Sequence, residues 1–289
     1  MLSKRIIASI ILKDGIVVQS VGFKRYLPIG SPEIVVEFLN AWGADEIVVF
    51  DIDASRENRT PDLGLLSRIA SKSMVPLTIG GGINSVGTIR QLIQKGADKV
   101  VINRAAIENP SLIKEACNIF GSQCIVVSID AKETSAGHYE VFTDSGRVGT
   151  GKTPVEIART CVEAGAGEIL IRSIDRDGSK EGFDTNLIHS ISEAVAVPVI
   201  AAGGCGHPQH IADAFREGYA DAVAVGNFFH FTEHCVTTTK AFLKPHFPIR
   251  LDTYATYEHA AFDAAGRLLK QDDALLEKLR FEYHSKEII

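Results

Sequence analysis

The chain repeats itself once, and this internal repeat limits its possible folds more than any other feature of the sequence. Four short segments of the first half recur in the same order in the second half, about 120 residues later. They pair 6–13 with 125–132, 50–55 with 172–177, 79–83 with 201–206 and 96–103 with 218–227. Solenoid repeats span about 20 to 50 residues, so this longer period indicates two homologous halves.

Apolar, β-branched runs typical of buried parallel strands recur along the chain, with helical patterns between most of them. The predicted strands are 5–12, 46–51, 76–80, 99–103, 124–130, 168–173, 198–202 and 222–225. The predicted helices include 32–42, 86–95, 111–120, 154–164, 186–194 and 208–217. Eight such units predict an α/β fold, a (β/α)8 TIM barrel of two duplicated half-barrels at about 1–122 and 123–250. A doubly wound open sheet is the alternative, but it does not naturally explain matched pairs at strand ends.

Three segments lie outside the regular alternation of strands and helices. Residues 23–31 and 133–153 form long connections after the first and fifth strands, and we expect a small hairpin at 139–142 in the second. Residues 251–289 are rich in Ala, Leu, Glu and Lys and predict a helical C-terminal tail. We expect the leucines of this tail to dock on the barrel wall or on another copy of the chain. They are Leu268, Leu269, Leu275, Leu276 and Leu279.

Charge and cysteine content argue against several kinds of partner and site. A net charge of −6 disfavours binding to nucleic acid or to an anionic membrane surface. No stretch approaches the roughly 20 apolar residues that span a bilayer. The five cysteines show no paired short spacing, so we expect reduced thiols, a cytoplasmic location and no metal. The segment 146–153 formally matches a P-loop, but it follows polar turn formers, so we expect no ATP and no other cofactor.

Glycines follow two predicted strands at matching positions in the two halves. Backbone N–H groups can approach an anion where no Cβ intervenes, and a following helix N-terminus adds positive potential. Alternatively, these glycines only make tight turns, although their occurrence at two matched places favours a ligand with a phosphate at each end. The first candidate phosphate site consists of Gly81, Gly82 and Asn103, and the second of Asp177, Gly178, Gly203, Gly204, Gly226 and Asn227.

Asp130 ends a buried strand at the predicted catalytic rim of the barrel, where a carboxylate could act as a general acid or base. Alternatively, it is a structural carboxylate held by Lys132 or by a backbone amide. The matching residue of the first half is Ile11, which cannot exchange a proton.

Four charged residues stand at strand starts, at the opposite end of the predicted barrel: Arg5, Glu46, Lys99 and Glu168. Their alternating signs would allow a closed ring of salt bridges across the barrel floor. From the sequence alone, the simpler interpretation is that they solvate the strand ends.

Taken together, several segments closely resemble the cyclase subunit of imidazole glycerol phosphate synthase. The resemblance rests on residues 4–8, 80–82, 97–100, 108–113, 120–123, 165–170 and 174–178, and it extends to about residue 251. It implies a duplicated barrel that receives ammonia from a glutaminase subunit at its floor and joins it to a bisphosphorylated substrate at its top. It also implies that Arg5, Glu46, Lys99 and Glu168 form an ammonia gate and that the two glycine sites bind phosphates.

The chain departs from the cyclase pattern at the presumed active site. The resemblance implies two catalytic aspartates, and this chain keeps Asp130 but has Ile11 at the other position. Further departures are Gln19, Arg104, Arg172 and Ala202. With residues 53–62, they resemble a sister branch that acts with a glutaminase and a separate amidotransferase to make acetamidino sugars of bacterial surface polysaccharides.

Three functional hypotheses follow from this resemblance. The first is an ammonia-using, lyase- or synthase-type subunit acting on a phosphorylated or nucleotide-sugar substrate in amidino-sugar biosynthesis. The second is an orthodox cyclase of histidine biosynthesis. The third is a noncatalytic scaffold that conducts ammonia.

Overall fold

The structure, a computed structural model, describes residues 3–57, 59–231, 234–250, 261–264, 266 and 268–269. Eight parallel strands close into a barrel because the last of them pairs with the first. In barrel order they are β1 (Arg5–Lys13), β4 (Glu46–Asp51), β5 (Leu77–Gly80), β6 (Lys99–Ile102), β7 (Ile125–Ser135), β10 (Glu168–Ser173), β11 (Val199–Ala202) and β12 (Ala222–Val225). The predicted (β/α)8 barrel is therefore confirmed, and the open doubly wound sheet is excluded.

Helices surround the barrel between its strands. They are α1 (Pro32–Ala41), α2 (Ile52–Arg56), α3 (Leu63–Lys72), α4 (Val86–Gln94), α5 (Arg104–Glu108), α6 (Ser111–Phe120), α7 (Pro154–Glu163), α8 (Thr185–Ser192), α9 (Pro208–Arg216) and α10 (Cys235–Leu243). Several start at a capping side chain, as at Asp62, which accepts hydrogen bonds from the backbone N–H groups of Gly64 and Leu65. None of the helices in the described ranges is both long and apolar enough to cross a membrane.

Two antiparallel extensions stand on the C-terminal rim at matching positions of the two halves. The strands β2 (Ile16–Val21) and β3 (Arg25–Gly30) extend β1, and β8 (His138–Thr143) and β9 (Val148–Gly149) extend β7. The hairpin expected at 139–142 is therefore present. The connection predicted as a loop at 23–31 is instead mostly strand, because residues 25–30 of β3 pair with residues 17–21 of β2, with one register shift.

Apolar packing forms two separate clusters. The larger one lies between the strands and the helices. The smaller one fills the barrel interior and consists of Ile7, Val48, Val101, Val126, Leu170, Ile200, Ala202, Ala222 and Ala224, with Phe50 against it. Because successive residues of a strand face opposite sides, every second residue of a barrel strand points inward. The inner cluster thus separates the charged floor of the barrel from its mouth.

A buried ion pair fastens α10 to the barrel floor. Lys240 is 1% exposed, and its Nζ lies 2.6 Å from Oδ1 of Asp45. The other oxygen of Asp45 accepts the backbone N–H of Ile6 at 2.7 Å. One carboxylate therefore connects the last described helix to β1.

The predicted helical tail lies almost wholly outside the described residues. Within the part that is described, Phe262 and Leu268 form an isolated antiparallel bridge, and the Phe262 ring lies 5.5 Å from that of Phe242 in α10. Leu268 and Leu269 are about half exposed. These few residues form a turn against α10 rather than a helical segment.

Candidate functional site

At the barrel floor, four charged side chains form a closed ring of ion pairs. Arg5 Nη1 lies 2.6 Å from Glu46 Oε1 and 2.9 Å from Glu168 Oε1. Lys99 Nζ lies 3.0 Å from Glu46 Oε2 and 3.2 Å from Glu168 Oε1. Each glutamate therefore contacts both cations. The interpretation that these residues only solvate strand ends is wrong, because the barrel brings their side chains together.

The floor ring is largely shielded from solvent, with side-chain exposures between 9% and 23%. Burial opposes the charge of Arg5, but Glu168 and Glu46 outweigh it and raise the pKa of the guanidinium. Glu168 Oε2 is buried without a hydrogen-bond partner. The ring thus closes the floor below the inner apolar cluster.

At the opposite end, a pocket opens between the strand ends and the two rim hairpins. Its lining includes Ile11, Phe50, Gly81, Gly82, Asn103, Arg104, Ser128, Asp130 and Arg172. These residues come from both half-barrels, and the C-terminal rim is where TIM-barrel enzymes place their active sites. The predicted catalytic residue and the first predicted phosphate site therefore share one pocket.

Asp130 is a buried carboxyl group of this pocket. Its Oδ2 accepts a hydrogen bond from Asn103 Nδ2 at 3.3 Å, while Oδ1 is buried without a partner. Burial raises the pKa of Asp130, Asp177 raises it further, and the nearby charge of Arg172 opposes them. A carboxyl group with a raised pKa keeps its proton to higher pH than an ordinary aspartic acid, which suits a general acid or base.

Asp130→Asn should stabilise the barrel at neutral pH. The pKa of Asp130 is higher in the folded state than its ordinary 3.8, so wild-type stability rises as pH falls from the folded-state pKa to the unfolded one. The amide carries no charge to desolvate. Thermal melts should therefore show a higher melting temperature for the variant at pH 7 and a shrinking difference towards pH 4.

A matched exposed substitution, Glu115→Gln in α6, should show no such pH-dependent gain. If Asp130→Asn is less stable than wild type at pH 7, the ionised carboxylate of Asp130 is favourable in the fold.

The predicted phosphate-site glycines are packed against neighbouring loops. A Cβ on Gly81 would lie 2.1 Å from the carbonyl oxygen of Asp51, and one on Gly204 would lie 2.0 Å from that of Gly182. Both glycines have positive φ, at 116° and 103°. Close loop packing thus accounts for these two glycines without a ligand, and their phosphate binding stays a prediction.

The second predicted phosphate site forms a smaller pocket on the other side of Arg172. Its lining includes Ile11, Arg172, Asp177, Gly178, Gly203, Gly204, Gly226 and Asn227. Here two side chains already hold the β2–β3 hairpin. Asp177 Oδ2 accepts hydrogen bonds from Ser20 Oγ at 2.7 Å and from the backbone of Phe23 at 3.2 Å. Asn227 both donates to and accepts from the backbone of Ser20.

The β8–β9 turn is held over the first pocket by an ion pair. Arg104 Nη1 lies 2.8 Å from Asp144 Oδ1, at the start of a turn in which Asp144, Ser145 and Gly146 all have positive φ. Each half-barrel thus contributes one hairpin that is fixed across the mouth. Within the described ranges, no three His, Cys, Asp or Glu side chains converge as they would around a metal ion.

The sequence also matches a known family. A family model described as "Histidine biosynthesis protein" covers residues 5–234 of the 289. The chain belongs to this histidine biosynthesis family. Its members are isomerases and cyclases built on TIM barrels, in agreement with the closed barrel and the duplicated halves. The match spans all eight barrel strands and ends before α10.

The structure also shows contacts at the site that the sequence pattern did not predict. Asn103 contacts Asp130 rather than open solvent, and Ser20 and Phe23 connect the β2–β3 hairpin to Asp177. Arg172 has the most informative position, between the two pockets. A charged residue directly after the apolar run 169–171 of a barrel strand is itself unusual and could have indicated a functional role.

Proposed function

We propose that this histidine-biosynthesis family barrel is the ammonia-using subunit of a glutamine amidotransferase complex. Ammonia released by a glutaminase at the floor would pass the ring of Arg5, Glu46, Lys99 and Glu168 and react at the mouth. The observation that carries this proposal is the closed floor ring on the barrel axis, opposite the pocket that holds Asp130.

The barrel interior suits a small neutral molecule. Between floor and mouth lie apolar side chains such as Val48, Val101 and Leu170, with the hydroxyl of buried Thr78 among the barrel strands. An ion would lose its hydration there at a large free-energy cost, whereas neutral ammonia would lose far less. Asp130, at the exit, would exchange protons during the addition of ammonia to the substrate.

Position 11 favours an acceptor reaction other than imidazole ring closure. Ile11 lines both rim pockets where the cyclase resemblance implies a second carboxylate. We propose the acetamidino-sugar branch, with a phosphorylated or nucleotide-sugar substrate and a separate amidotransferase as a further partner. Ile11 is equally consistent with a noncatalytic conduit. Product formation by the complex with and without the separate amidotransferase distinguishes these two roles.

The chain should co-purify with a glutaminase subunit from its own organism and should raise the activity of that glutaminase. Couplings between sites of 1–3 kcal/mol correspond to roughly 5- to 150-fold, and we expect stimulation in that range. Lys99→Met should abolish most of it, because the substitution opens the ring and leaves two glutamates around one cation. Glutamine hydrolysis by the purified pair measures the effect.

The control for this experiment is Lys72→Met, which removes an exposed charge from α3 on the barrel wall and should leave stimulation unchanged. Circular dichroism should confirm that both variants are folded. If wild-type protein neither co-purifies with the glutaminase nor stimulates it, the ammonia-conducting role is wrong.

A further inference from the structure

Arg172 is a buried cation at the centre of the barrel mouth. It is 9% exposed and lies in β10, in register with Asp130 of β7 on one side and Ala202 of β11 on the other. The guanidinium carbon lies 4.5 Å from the centroid of the Phe50 ring and 5.6 Å from that of Phe23. The two aromatic rings therefore stabilise the cation and restrict its position.

The charge of Arg172 lacks a direct counterion. Among the described residues it forms neither an ion pair nor a side-chain hydrogen bond, and Asp130 and Asp177 act on it only through space. Other shielded cations of the chain do have close partners, as in the 2.6 Å pairs Lys240–Asp45 and Arg5–Glu46. Burying an unpaired charge is costly, so this position is suited to an anion that the chain itself does not supply.

The position of Arg172 defines which part of a ligand it would contact. It lines both rim pockets, one beside Gly82 and Asn103 and the other beside Gly204 and Asn227. A ligand that spans the mouth from one pocket to the other must pass Arg172 near its middle. A ligand whose only charges are terminal phosphates would leave the guanidinium without a partner.

We propose that Arg172 binds an oxyanion in the central part of the substrate, through the paired N–H donors of its guanidinium. This inference rests on the proposed function in taking the mouth as the substrate site, and it specifies the substrate class. A nucleoside diphosphate sugar carries its diphosphate between two uncharged ends, and a sugar acid carries a carboxylate. Both offer oxygen pairs that match the planar fork of arginine.

Calorimetric titration of the purified full chain with inorganic pyrophosphate, UDP and glucuronate tests this site. Wild-type protein should bind at least one of these anions. Loss of one hydrogen bond to a charged group corresponds to roughly 10- to 150-fold, so Arg172→Met, which removes a pair of donors, should weaken that binding at least about 10-fold. The affinity of Arg172→Lys should lie between those of wild type and Arg172→Met, because lysine keeps the charge but lacks the paired donors of the guanidinium. Arg159→Met, an exposed arginine of α7, is the matched control.

If wild-type protein binds pyrophosphate and UDP more tightly than glucuronate, the oxyanion of the substrate is a central diphosphate. If it binds glucuronate more tightly, the oxyanion is a carboxylate. Binding by folded Arg172→Met within twofold of wild type, or no binding of any probe to wild type, overturns the inference. These titrations involve neither glutaminase nor ammonia. Loss of glutaminase coupling with retained anion binding therefore refutes the proposed ammonia transfer alone, and the reverse result refutes only the role of Arg172.

Discussion

A bacterial strain that lacks the cyclase of histidine biosynthesis should not grow without histidine when it expresses this chain. General acid–base groups contribute about 10²- to 10⁴-fold to rate, which corresponds to roughly 3 to 5 kcal/mol of transition-state stabilisation. Ile11 cannot supply the second proton carrier that the cyclase resemblance implies. The apolar side chain also lies in the same pocket as Asp130, whose carboxyl group is already desolvated.

Growth of the complemented strain on minimal medium, with and without histidine, measures this result. Expression of soluble protein must be confirmed in parallel. Ile11→Asp alone should not restore growth, because Arg172 and Ala202 also shape the mouth differently. The informative comparison is the triple variant Ile11→Asp, Arg172→Thr, Ala202→Ser, which introduces the aspartate, threonine and serine that the cyclase resemblance implies at these positions. Normal growth with the unaltered chain would show that it is an orthodox cyclase and would refute the amidino-sugar proposal.

Lys240→Met should reduce the free energy of unfolding by roughly 3 to 5 kcal/mol, because it leaves the charge of Asp45 buried without its cation. The methionine keeps most of the apolar length of the side chain, so lost charge pairing rather than a cavity should dominate the effect. Urea unfolding followed by circular dichroism gives the free energy. The midpoint should fall without a comparable change in the slope.

Two further variants distinguish charge pairing from packing. Adding Asp45→Asn to Lys240→Met should recover much of the loss, since the amide oxygen can still accept the N–H of Ile6. Lys72→Met breaks an exposed pair with Glu37 and should cost less than about 1 kcal/mol. Equal small losses for Lys240→Met and Lys72→Met would show that the buried pair adds nothing to stability.

The sequence predicts the barrel well because its strands are buried on both faces and read as continuous apolar runs. The bounds at 46–51, 168–173 and 222–225 agree with β4, β10 and β12. The prediction names no helix at α3 or at α10. The prediction of a loop at 23–31 is wrong. Residues there form β3, and its pairing with β2 depends on contacts between strands rather than on local sequence.

The candidate site is harder to predict because it depends on which side chains meet across the barrel. From the sequence, the charged residues at the strand starts could either form a ring of salt bridges or only solvate the strand ends. Closure of the sheet into a barrel decides for the ring. Asp177 and Asn227 lie in the segments that follow β10 and β12, but the partner of their side chains is a hairpin that the sequence pattern does not place there. Arg172 was identifiable as a departure, whereas its lack of a counterion emerges only from the geometry.

The floor ring gives the two half-barrels different and complementary charges. Arg5, Glu46 and Lys99 come from the first half and contribute a net +1, while Glu168 from the second contributes −1. Two copies of the first half would bring a net +2 to the floor, and two copies of the second would bring −2. Separately expressed halves should therefore assemble with each other in preference to themselves. The charges of the floor ring thus favour a barrel made of one first half and one second half over a barrel made of two identical halves.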